Sequence, residues 1–239
     1  MKALVVLSGG MDSTVALYHT LKSSGVTSVE AISFNYGSKH NDSEFKCAQQ
    51  TTQSLGIPHK RVDLPFINDL FKSDLLKSGG EIPEGHYAES NMRKTVVPFR
   101  NGIMLSIAAG YAESIGASVL VLGNHFGDHT IYPDCRADFI KPMSEAIKNG
   151  TYTKVDIYSP FVNKTKTDIA KLGSDLGVDF EKTYSCYKGG DLHCGLCSTC
   201  YERREAFVDA GVVDPTQYID NTSFEELRQK YEEKYKAEL

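Results

Sequence analysis

Apolar residues along this chain follow two kinds of pattern. Short apolar runs, typical of strands, lie between longer stretches in which apolar residues recur with the period of a helix. The predicted strands cover residues 2–7, 28–34, 59–64, 118–122 and 155–159. The predicted helices cover residues 13–22, 42–55, 101–116, 136–149, 165–176 and 200–210. Because strands that alternate with helices form parallel sheets, the pattern predicts an α/β fold with a doubly wound parallel sheet.

Two segments depart from this alternation. Residues 72–94 are rich in polar side chains, show no clear period and contain Gly79, Gly80, Pro83 and Gly85. A loop of this length in a compact domain is usually functional or mobile. The charged tail at residues 224–239 predicts a helix on the surface.

The ends of the predicted strands indicate where a ligand would bind. In open parallel sheets, ligands bind at the carboxyl ends of the strands. The loops that begin at Ser8, Asn35 and Gly123 each follow a predicted strand. We therefore expect these three loops to meet at one crevice.

Composition narrows the class of protein. The chain has 239 residues, of which 41% are hydrophobic, enough for one α/β domain with an appendage. Its formal net charge of −5 argues against a nucleic-acid scaffold, so we expect small anionic ligands and no nucleic-acid partner. The apolar run at residues 2–7 is too short for a signal peptide or a membrane span, which predicts a cytoplasmic protein with no membrane partner. The cytoplasm would keep the six cysteines reduced, so clustered cysteines indicate metal ligands.

The first strand runs into a turn of small and hydroxyl residues. Two glycines there would let the backbone approach a ligand, and Asp12, Ser13 and Thr14 are natural caps for the following helix. The amides at such a helix start form an anion site, to which the helix dipole adds positive charge. The turn lacks the lysine of a Walker loop. Residues 8–13 instead resemble the pyrophosphate loop of AMP-forming ATP pyrophosphatases. A glycine turn capped by polar residues, with no ligand, is the alternative. The residues predicted to bind ATP are Ser8, Gly9, Gly10, Met11, Asp12, Ser13 and Thr14.

Cysteines cluster near the other end of the chain. Two successive C-x2-C spacings with a fourth cysteine upstream suit one tetrahedral metal ion, whose predicted ligands are Cys186, Cys194, Cys197 and Cys200. Gly195 allows a tight turn, so we place a knuckle at residues 194–197 and Cys200 on the first turn of a helix. Zinc is favoured over an iron–sulfur cluster because the ferredoxin cysteine that precedes proline is absent, and four thiolates would make the zinc structural. Packing of free thiols is the remaining alternative.

These motifs together resemble those of the 7-cyano-7-deazaguanine synthases (preQ0 synthases), a family of PP-loop ATP pyrophosphatases. The resemblance also rests on residues 34–37, 97–101, 132–136, 164–166 and 202–203. It implies an enzyme that converts 7-carboxy-7-deazaguanine, ammonia and ATP to the nitrile, with a structural zinc, magnesium and a homodimer. It also implies a Rossmann-like fold of the adenine nucleotide α-hydrolase type. We divide the chain into a nucleotide-binding PP-loop domain at residues 1–181 and a zinc-binding, helical region at residues 182–239.

The implied reaction assigns roles to the loop. A carboxylate reacts with ammonia only after adenylation supplies AMP as a leaving group, and dehydration of the amide needs a second activation, so one nucleotide site must act twice. Oriented amides, Lys166 and Mg²⁺ would stabilise charge on the transferring phosphoryl group. Asp12 is a candidate both for a Mg²⁺ ligand and for a helix cap. The predicted catalytic residues are Ser8, Asp12, Ser13 and Lys166.

Recognition of the base would fall to side chains outside the loop. A planar deazaguanine needs an aromatic surface, a carboxylate for its guanidine-like edge and a cation for its own carboxylate. The candidates are Phe34, Tyr36, Arg100, Asp128, Asp134 and Arg136. Structural roles stay open for three of them: Phe34 as core, Arg100 as a cap or ion-pair partner, and Asp134 as a turn residue.

Four further residues belong to segments near the expected crevice. His125 and His129 could form a second metal site with Asp128, although two histidines in one loop are more often hydrogen-bonded polar residues. We interpret Cys135 as a buried small side chain because the implied reaction needs no enzyme nucleophile. Phe99 stands where the family pattern predicts a small or polar residue, which bears on substrate contacts.

Two other functions compete with the implied synthase. A tRNA thiolase of the same superfamily would need a catalytic cysteine pair or an open cluster and a basic RNA surface, which the acidic balance and the closed cysteine pattern disfavour. A zinc-knuckle binding module without catalytic activity would have no use for an intact loop at residues 8–13.

Overall fold

Five parallel strands form the central sheet. The computed structural model describes residues 1–87 and 90–238, with side chains of the last helix described as far as residue 234. The strands are β1 (Lys2–Val6), β2 (Ser28–Asn35), β3 (His59–Asp63), β4 (Val119–Val121) and β5 (Asp156–Tyr158). Their order is β3-β2-β1-β4-β5, and every neighbouring pair is parallel. The chain therefore reverses its direction of winding beside β1, which confirms the doubly wound parallel sheet.

The helices are α1 (Met11–Lys22), α2 (Asn41–Leu55), α3 (Pro65–Leu70), α4 (Arg100–Ser114), α5 (Ala137–Gly150), α6 (Lys166–Asp175), α7 (Ser198–Ala210) and α8 (Phe224–Glu238). All the predicted helices are present, with ends within two residues of the prediction. The short helix α3 was not predicted, nor were the 3-10 helices at Ser90–Thr95, Phe126–Thr130, Pro133–Cys135 and Phe180–Lys182. These short elements carry too few apolar positions to show a period.

Alternating residues of β1 pack against the two helical layers. Leu4 belongs to the core beneath α4, together with Leu105. Val5 belongs to the core beneath α1 and α6, with Val15 and Ile169. Because side chains of a strand point alternately to opposite faces, this pattern covers both faces of the sheet with helices. No helix of the described residues is long and apolar enough to cross a membrane.

The carboxyl-terminal region joins the sheet domain through α7. This helix packs along α6, and α8 covers its outer side through Leu227 and Tyr231, which cluster with Tyr201. Inside the contact, the guanidinium of Arg203 is completely buried and donates to Thr183 Oγ1 at 2.9 Å. The start of α7 therefore has a fixed position relative to the edge of the sheet where the strands end.

Candidate functional site

An open cavity lies at the carboxyl ends of β1, β2 and β4. The loops that follow these strands line it together, which confirms the predicted crevice. Ten of the predicted site residues contribute to its wall: Ser8, Gly10, Met11, Asp12, Ser13, Phe34, Tyr36, Arg100, Asp128 and Lys166. The other four predicted residues outside the cysteine cluster, namely Gly9, Thr14, Asp134 and Arg136, do not line it.

Hydroxyl groups close the turn at residues 8–13. Ser8 Oγ accepts the Gly10 N–H at 3.0 Å and lies 2.9 Å from Ser13 Oγ, which also accepts the Ser8 N–H at 3.2 Å. The N-cap of α1 is Gly10 and has no side-chain cap. The prediction that Asp12, Ser13 and Thr14 cap this helix was therefore wrong, because all three lie inside its first turn. The first amides of α1 consequently have no capping side chain and remain available to an anion.

Gly9 is closely packed between two other segments of the chain. Its φ of +100° favours glycine, and an added Cβ would lie 2.0 Å from the backbone oxygen of Glu44 in α2. Its carbonyl also accepts the Tyr184 N–H at 2.9 Å. The turn is thus held between α2 and the segment that leads to the cysteines, and the predicted direct contact of Gly9 with a ligand is not supported by its position.

Lys166 forms the centre of a charged cluster in the cavity. Its Nζ lies 3.0 Å from Asp12 Oδ2 and 2.8 Å from Glu202 Oε2. Burial alone would lower the pKa of Lys166, but the two carboxylates outweigh it and raise the pKa above its usual range. Thr165 and Asp168 form a capping box at the start of α6, which fixes the backbone of Lys166. The cavity therefore holds a permanently charged ammonium group near the turn at residues 8–13, which we call the phosphate-type turn.

His125 lies beneath this cluster and is almost completely buried. Its Nδ1 accepts the Gly127 N–H at 3.0 Å, and its Nε2 lies 3.5 Å from Lys166 Nζ. Asp128 accepts from Tyr87 Oη and from the His125 N–H, both at 3.2 Å. Burial raises the pKa of Asp128, but its interactions with the His125 segment, the charge of Lys166 and the hydrogen bond from Tyr87 reverse that effect and keep the pKa below its ordinary value. These hydrogen bonds favour the polar role of this loop, and among the described residues only the cysteines group closely enough to be recognised as a metal site.

Arg100 and aromatic rings line the other half of the cavity. Arg100 Nη1 donates to Tyr36 Oη at 2.9 Å, and the guanidinium carbon lies 5.3 Å from the centre of the Tyr36 ring. Phe34 belongs to the core and also lines the cavity, and its contact with the base stays a prediction. A cation beside flat rings is suited to a planar, negatively charged ligand.

Asp134 and Arg136 act within the protein framework. Asp134 Oδ2 accepts the Asn101 N–H at 2.8 Å and so satisfies the start of α4, while Arg136 Nε donates to the His129 carbonyl at 2.7 Å. Neither lines the cavity, so their predicted direct contact with substrate is not supported, and the structural alternative for Asp134 is favoured. Cys135 between them is 5% exposed, and burial raises the pKa of its thiol well above the usual range, as expected of an inert side chain.

Phe99, the residue that departs from the family pattern, stands just before Arg100. It has a φ of 53° at the N-cap of α4 and is 59% exposed. Its ring packs edge-on against Phe139 and fills the space that a side chain at Gly102 would take. Because Phe99 does not line the cavity, its departure leaves the wall of the site unchanged.

The four predicted cysteine ligands come together as expected. Their sulfur atoms all lie within 4.8 Å of one another, with 3.9 Å between Cys186 and Cys197 and 3.4 Å between Cys197 and Cys200. Gly195 turns the knuckle with a φ of +86°, and Cys194 Sγ accepts the Cys197 N–H at 3.2 Å. A zinc ion about 2.3 Å from each of four thiolates holds them about 3.8 Å apart, so the cluster is compatible with zinc. Cys200 lies in the first turn of α7, as predicted.

Several residues of the cavity were not predicted from the sequence. Glu202, which belongs to a recognised motif, does not line the cavity but contacts Lys166 at its wall, and it was not predicted as a site residue. Asn101 lines the cavity and likewise belongs to a recognised motif. The others reach the cavity through tertiary packing that no sequence pattern revealed, and they include His40, Glu44, Tyr87, Tyr184 and Tyr187.

Comparisons with known proteins agree with this geometry. Residues 2–211 match the family model described as queuosine biosynthesis protein QueC. A protein from Porphyromonas gingivalis named 7-cyano-7-deazaguanine synthase is 55% identical over 90% of this chain and 96% of its own length. A protein of the same name from Desulfotalea psychrophila is 54% identical over 91% of this chain and 98% of its own length.

A solved structure shows the same fold at low identity. The U34-tRNA thiolase NcsA from Methanococcus maripaludis, described with its [4Fe-4S] cluster, has a TM-score of 0.50 and 15% identity, covering 99% of this chain and 73% of that one. This likeness concerns the fold alone. The motif at residues 8–13, the cysteine cluster and the match over residues 2–211 agree, and the chain belongs to the QueC family of queuosine biosynthesis proteins, whose enzymes use ATP.

Proposed function

We propose that this protein is an ATP-dependent ligase that converts 7-carboxy-7-deazaguanine and ammonia to 7-cyano-7-deazaguanine. One observation carries the proposal beyond the relatives' names: a phosphate-type turn without a Walker lysine shares a single cavity with Lys166 on one side and Arg100 on the other. The first part suits a nucleotide whose pyrophosphate leaves, and the second suits a flat carboxylated base. Together they would place the carboxylate beside the phosphate at which it is activated.

The residues of the cavity would divide the work. The first amides of α1 and the turn at residues 8–13 would hold the departing pyrophosphate. Lys166, already charged, would stabilise the charge that develops on the phosphoryl group. Arg100 would orient the substrate carboxylate, and the rings of Phe34 and Tyr36 would hold the base. The amide formed in the first round would be activated in the same place by a second ATP before it loses its oxygen.

Magnesium fits the carboxylate of Asp12. Oδ1 of Asp12 is buried and has no hydrogen-bond partner among the described residues, and carboxylate oxygens are preferred Mg²⁺ ligands. When bound, Mg²⁺ would neutralise phosphate charge and help pyrophosphate to leave. We therefore propose that Asp12 holds the metal while Lys166 and Glu202 remain paired.

Zinc would act through structure. Four thiolates complete a tetrahedral shell, so no position would remain for substrate. The cluster lies at the start of α7, from which Thr199 lines the cavity and Glu202 contacts Lys166. Zinc would thus fix the helix that places Glu202 beside Lys166. We propose a separation of roles between a nucleotide-binding part at residues 1–181 and a zinc-binding part at residues 182–239, in a cytoplasmic homodimer that binds no nucleic acid.

The proposal is tested by measuring the exchange of labelled pyrophosphate into ATP with each candidate substrate. We expect exchange that depends on 7-carboxy-7-deazaguanine and needs no ammonium, since adenylation precedes attack by nitrogen. A tRNA thiolase would instead show exchange that depends on tRNA. Exchange with tRNA and none with the carboxylated base would replace the synthase with the thiolase, and no exchange with either would contradict both.

A further inference from the structure

Glu44 is a carboxyl group of the cavity wall with no role in the scheme above. Glu44 lies in the first turn of α2, and its backbone oxygen packs against Gly9. Its Oε1 is 3.7 Å from the point where a Cβ on Gly10 would lie, so the carboxyl group sits directly beside the phosphate-type turn. The close packing of α2 against Gly9 holds the backbone of Glu44 beside this turn.

Among the carboxyl groups that line the cavity, Glu44 differs in its partners. Asp12 is paired with Lys166 at 3.0 Å, and Asp128 accepts hydrogen bonds from Tyr87 and His125. Within the described part of the chain, the one basic group within 4 Å of the Glu44 carboxyl is His40 Nε2 at 3.5 Å. Burial, reinforced by the charge of Arg100, lowers the pKa of His40 to about 3, so this imidazole is neutral and offers no counter-ion.

The proposed reaction needs a site for a small cation in this part of the cavity. Nitrogen enters from ammonium, which carries a positive charge and has no lone pair with which to attack. A buried carboxylate with no charged base in direct contact can bind such an ion and take its proton. We propose that Glu44 binds the ammonium ion and accepts the proton that it loses before it attacks the activated carboxyl group.

The step balances in charge and atoms. Ammonium passes one proton to the Glu44 carboxylate and becomes ammonia. The nitrogen lone pair forms the C–N bond, the bond between the acyl carbon and the AMP oxygen breaks, and AMP takes that electron pair. The nitrogen then loses a second proton to solvent, which leaves the neutral amide. Glu44 ends the step protonated and returns its proton to solvent before the next cycle.

The surroundings of Glu44 favour this exchange near neutral pH. Burial raises the pKa of Glu44 to about 8, although Arg100 opposes the shift, so both protonation states are accessible there. The other groups that face it are His40, Tyr36, Cys47 and Arg100. Burial raises the pKa of Tyr36 and, with the charge of Glu44, raises that of Cys47 to about 11, while Arg100 stays charged. Glu44 is therefore the member of this group whose charge changes near neutrality.

A pair of nucleophiles tests the inference, which rests on the proposed function. Hydroxylamine is uncharged at neutral pH and needs no base to expose its lone pair, whereas ammonium does. We expect Glu44→Gln to keep exchange of pyrophosphate driven by the carboxylated base within about twofold, since that step precedes nitrogen. Its amide formation from ammonium should fall by about 100-fold, while hydroxamate formation from hydroxylamine should stay within about threefold of the unaltered protein.

The control is Asp42→Asn, which removes an exposed carboxylate from the same turn of α2, where it pairs with Lys77 at 3.2 Å. This variant should leave all three rates unchanged. Equal losses with ammonium and hydroxylamine, or a loss of exchange with weaker binding of the base, would assign Glu44 to packing or base recognition and overturn the inference. Unchanged use of ammonium would overturn it as well. Failure of the unaltered protein to catalyse exchange would instead contradict the proposed function and remove the basis of the inference.

Discussion

Nζ of Lys166 lies 3.0 Å from Oδ2 of Asp12, and this contact joins the first turns of α6 and α1 across the cavity. Glu202 approaches the same ammonium group from α7 at 2.8 Å. Three elements that are distant in sequence therefore supply one charged cluster. Because the cysteine cluster holds the start of α7, the two strongest sequence motifs meet at Lys166.

Replacing Asp12 by asparagine should separate activity from stability. Asp12 does not cap α1, so we expect the melting temperature of Asp12→Asn to stay within a few degrees of the unaltered protein. Turnover should fall by about 100-fold or more, since the proposed ligand of Mg²⁺ and one of the two carboxylate partners of Lys166 are both lost. Steady-state kinetics and thermal unfolding of this variant, beside Asp179→Asn in an exposed ion pair, provide the measurement. Parallel losses of stability and turnover would argue for a structural role.

Gly9→Ala should destabilise the protein far more than Gly56→Ala. Both glycines have positive φ, but a Cβ at Gly56 meets open space, whereas one at Gly9 would lie 2.0 Å from the Glu44 carbonyl oxygen. The backbone effect at Gly56 should cost about 1 kcal/mol, and the added clash at Gly9 about 3 kcal/mol. Urea unfolding of the two variants gives both values. Similar values would mean that α2 yields without cost and that the turn is not held by this contact.

Arg100→Ala should weaken binding of the carboxylated base while ATP binding stays close to normal. Loss of a charge-assisted hydrogen bond to a buried ligand typically costs about 1.5–3 kcal/mol, which corresponds to about 10- to 150-fold in affinity. Calorimetric titration with each ligand separates the two effects. Arg61→Ala is the control because Arg61 stacks on Phe45 outside the cavity. Unchanged affinity for the base in Arg100→Ala would return this residue to a purely structural role.

Cys197→Ser should yield a protein that is sensitive to protease and contains less than one zinc per chain. Zinc binding in small cysteine sites contributes about 10–16 kcal/mol, comparable to the stability of a whole domain. Cys47→Ser, outside the cluster, should keep its full metal content and its solubility. Metal analysis with limited proteolysis compares the two. A well-folded Cys197→Ser that lacks zinc and has lost only turnover would show that the metal takes part in the chemistry.

The sequence predicted the architecture better than the individual contacts. The strands at residues 2–7 and 28–34 were predicted because their apolar runs are long enough to show a pattern. The position of the crevice was then predicted from where those strands end. The role of Gly9 could not be inferred, because the carbonyl that excludes a side chain there belongs to Glu44 in another helix. The bond from the Asn101 amide to Asp134 could not be inferred either, because it depends on how α4 begins.

The central claim is tested most directly by the products formed from 7-carboxy-7-deazaguanine, ¹⁵N-labelled ammonium and ATP. Mass spectrometry of the base and quantification of the nucleotides should show a nitrile that carries the label, with an amide as intermediate. Because the one nucleotide site must activate first the carboxylate and then the amide, we predict two AMP and two pyrophosphate for each nitrile. Formation of ADP as the nucleotide product, or consumption of ATP without labelled amide or nitrile, would contradict the account.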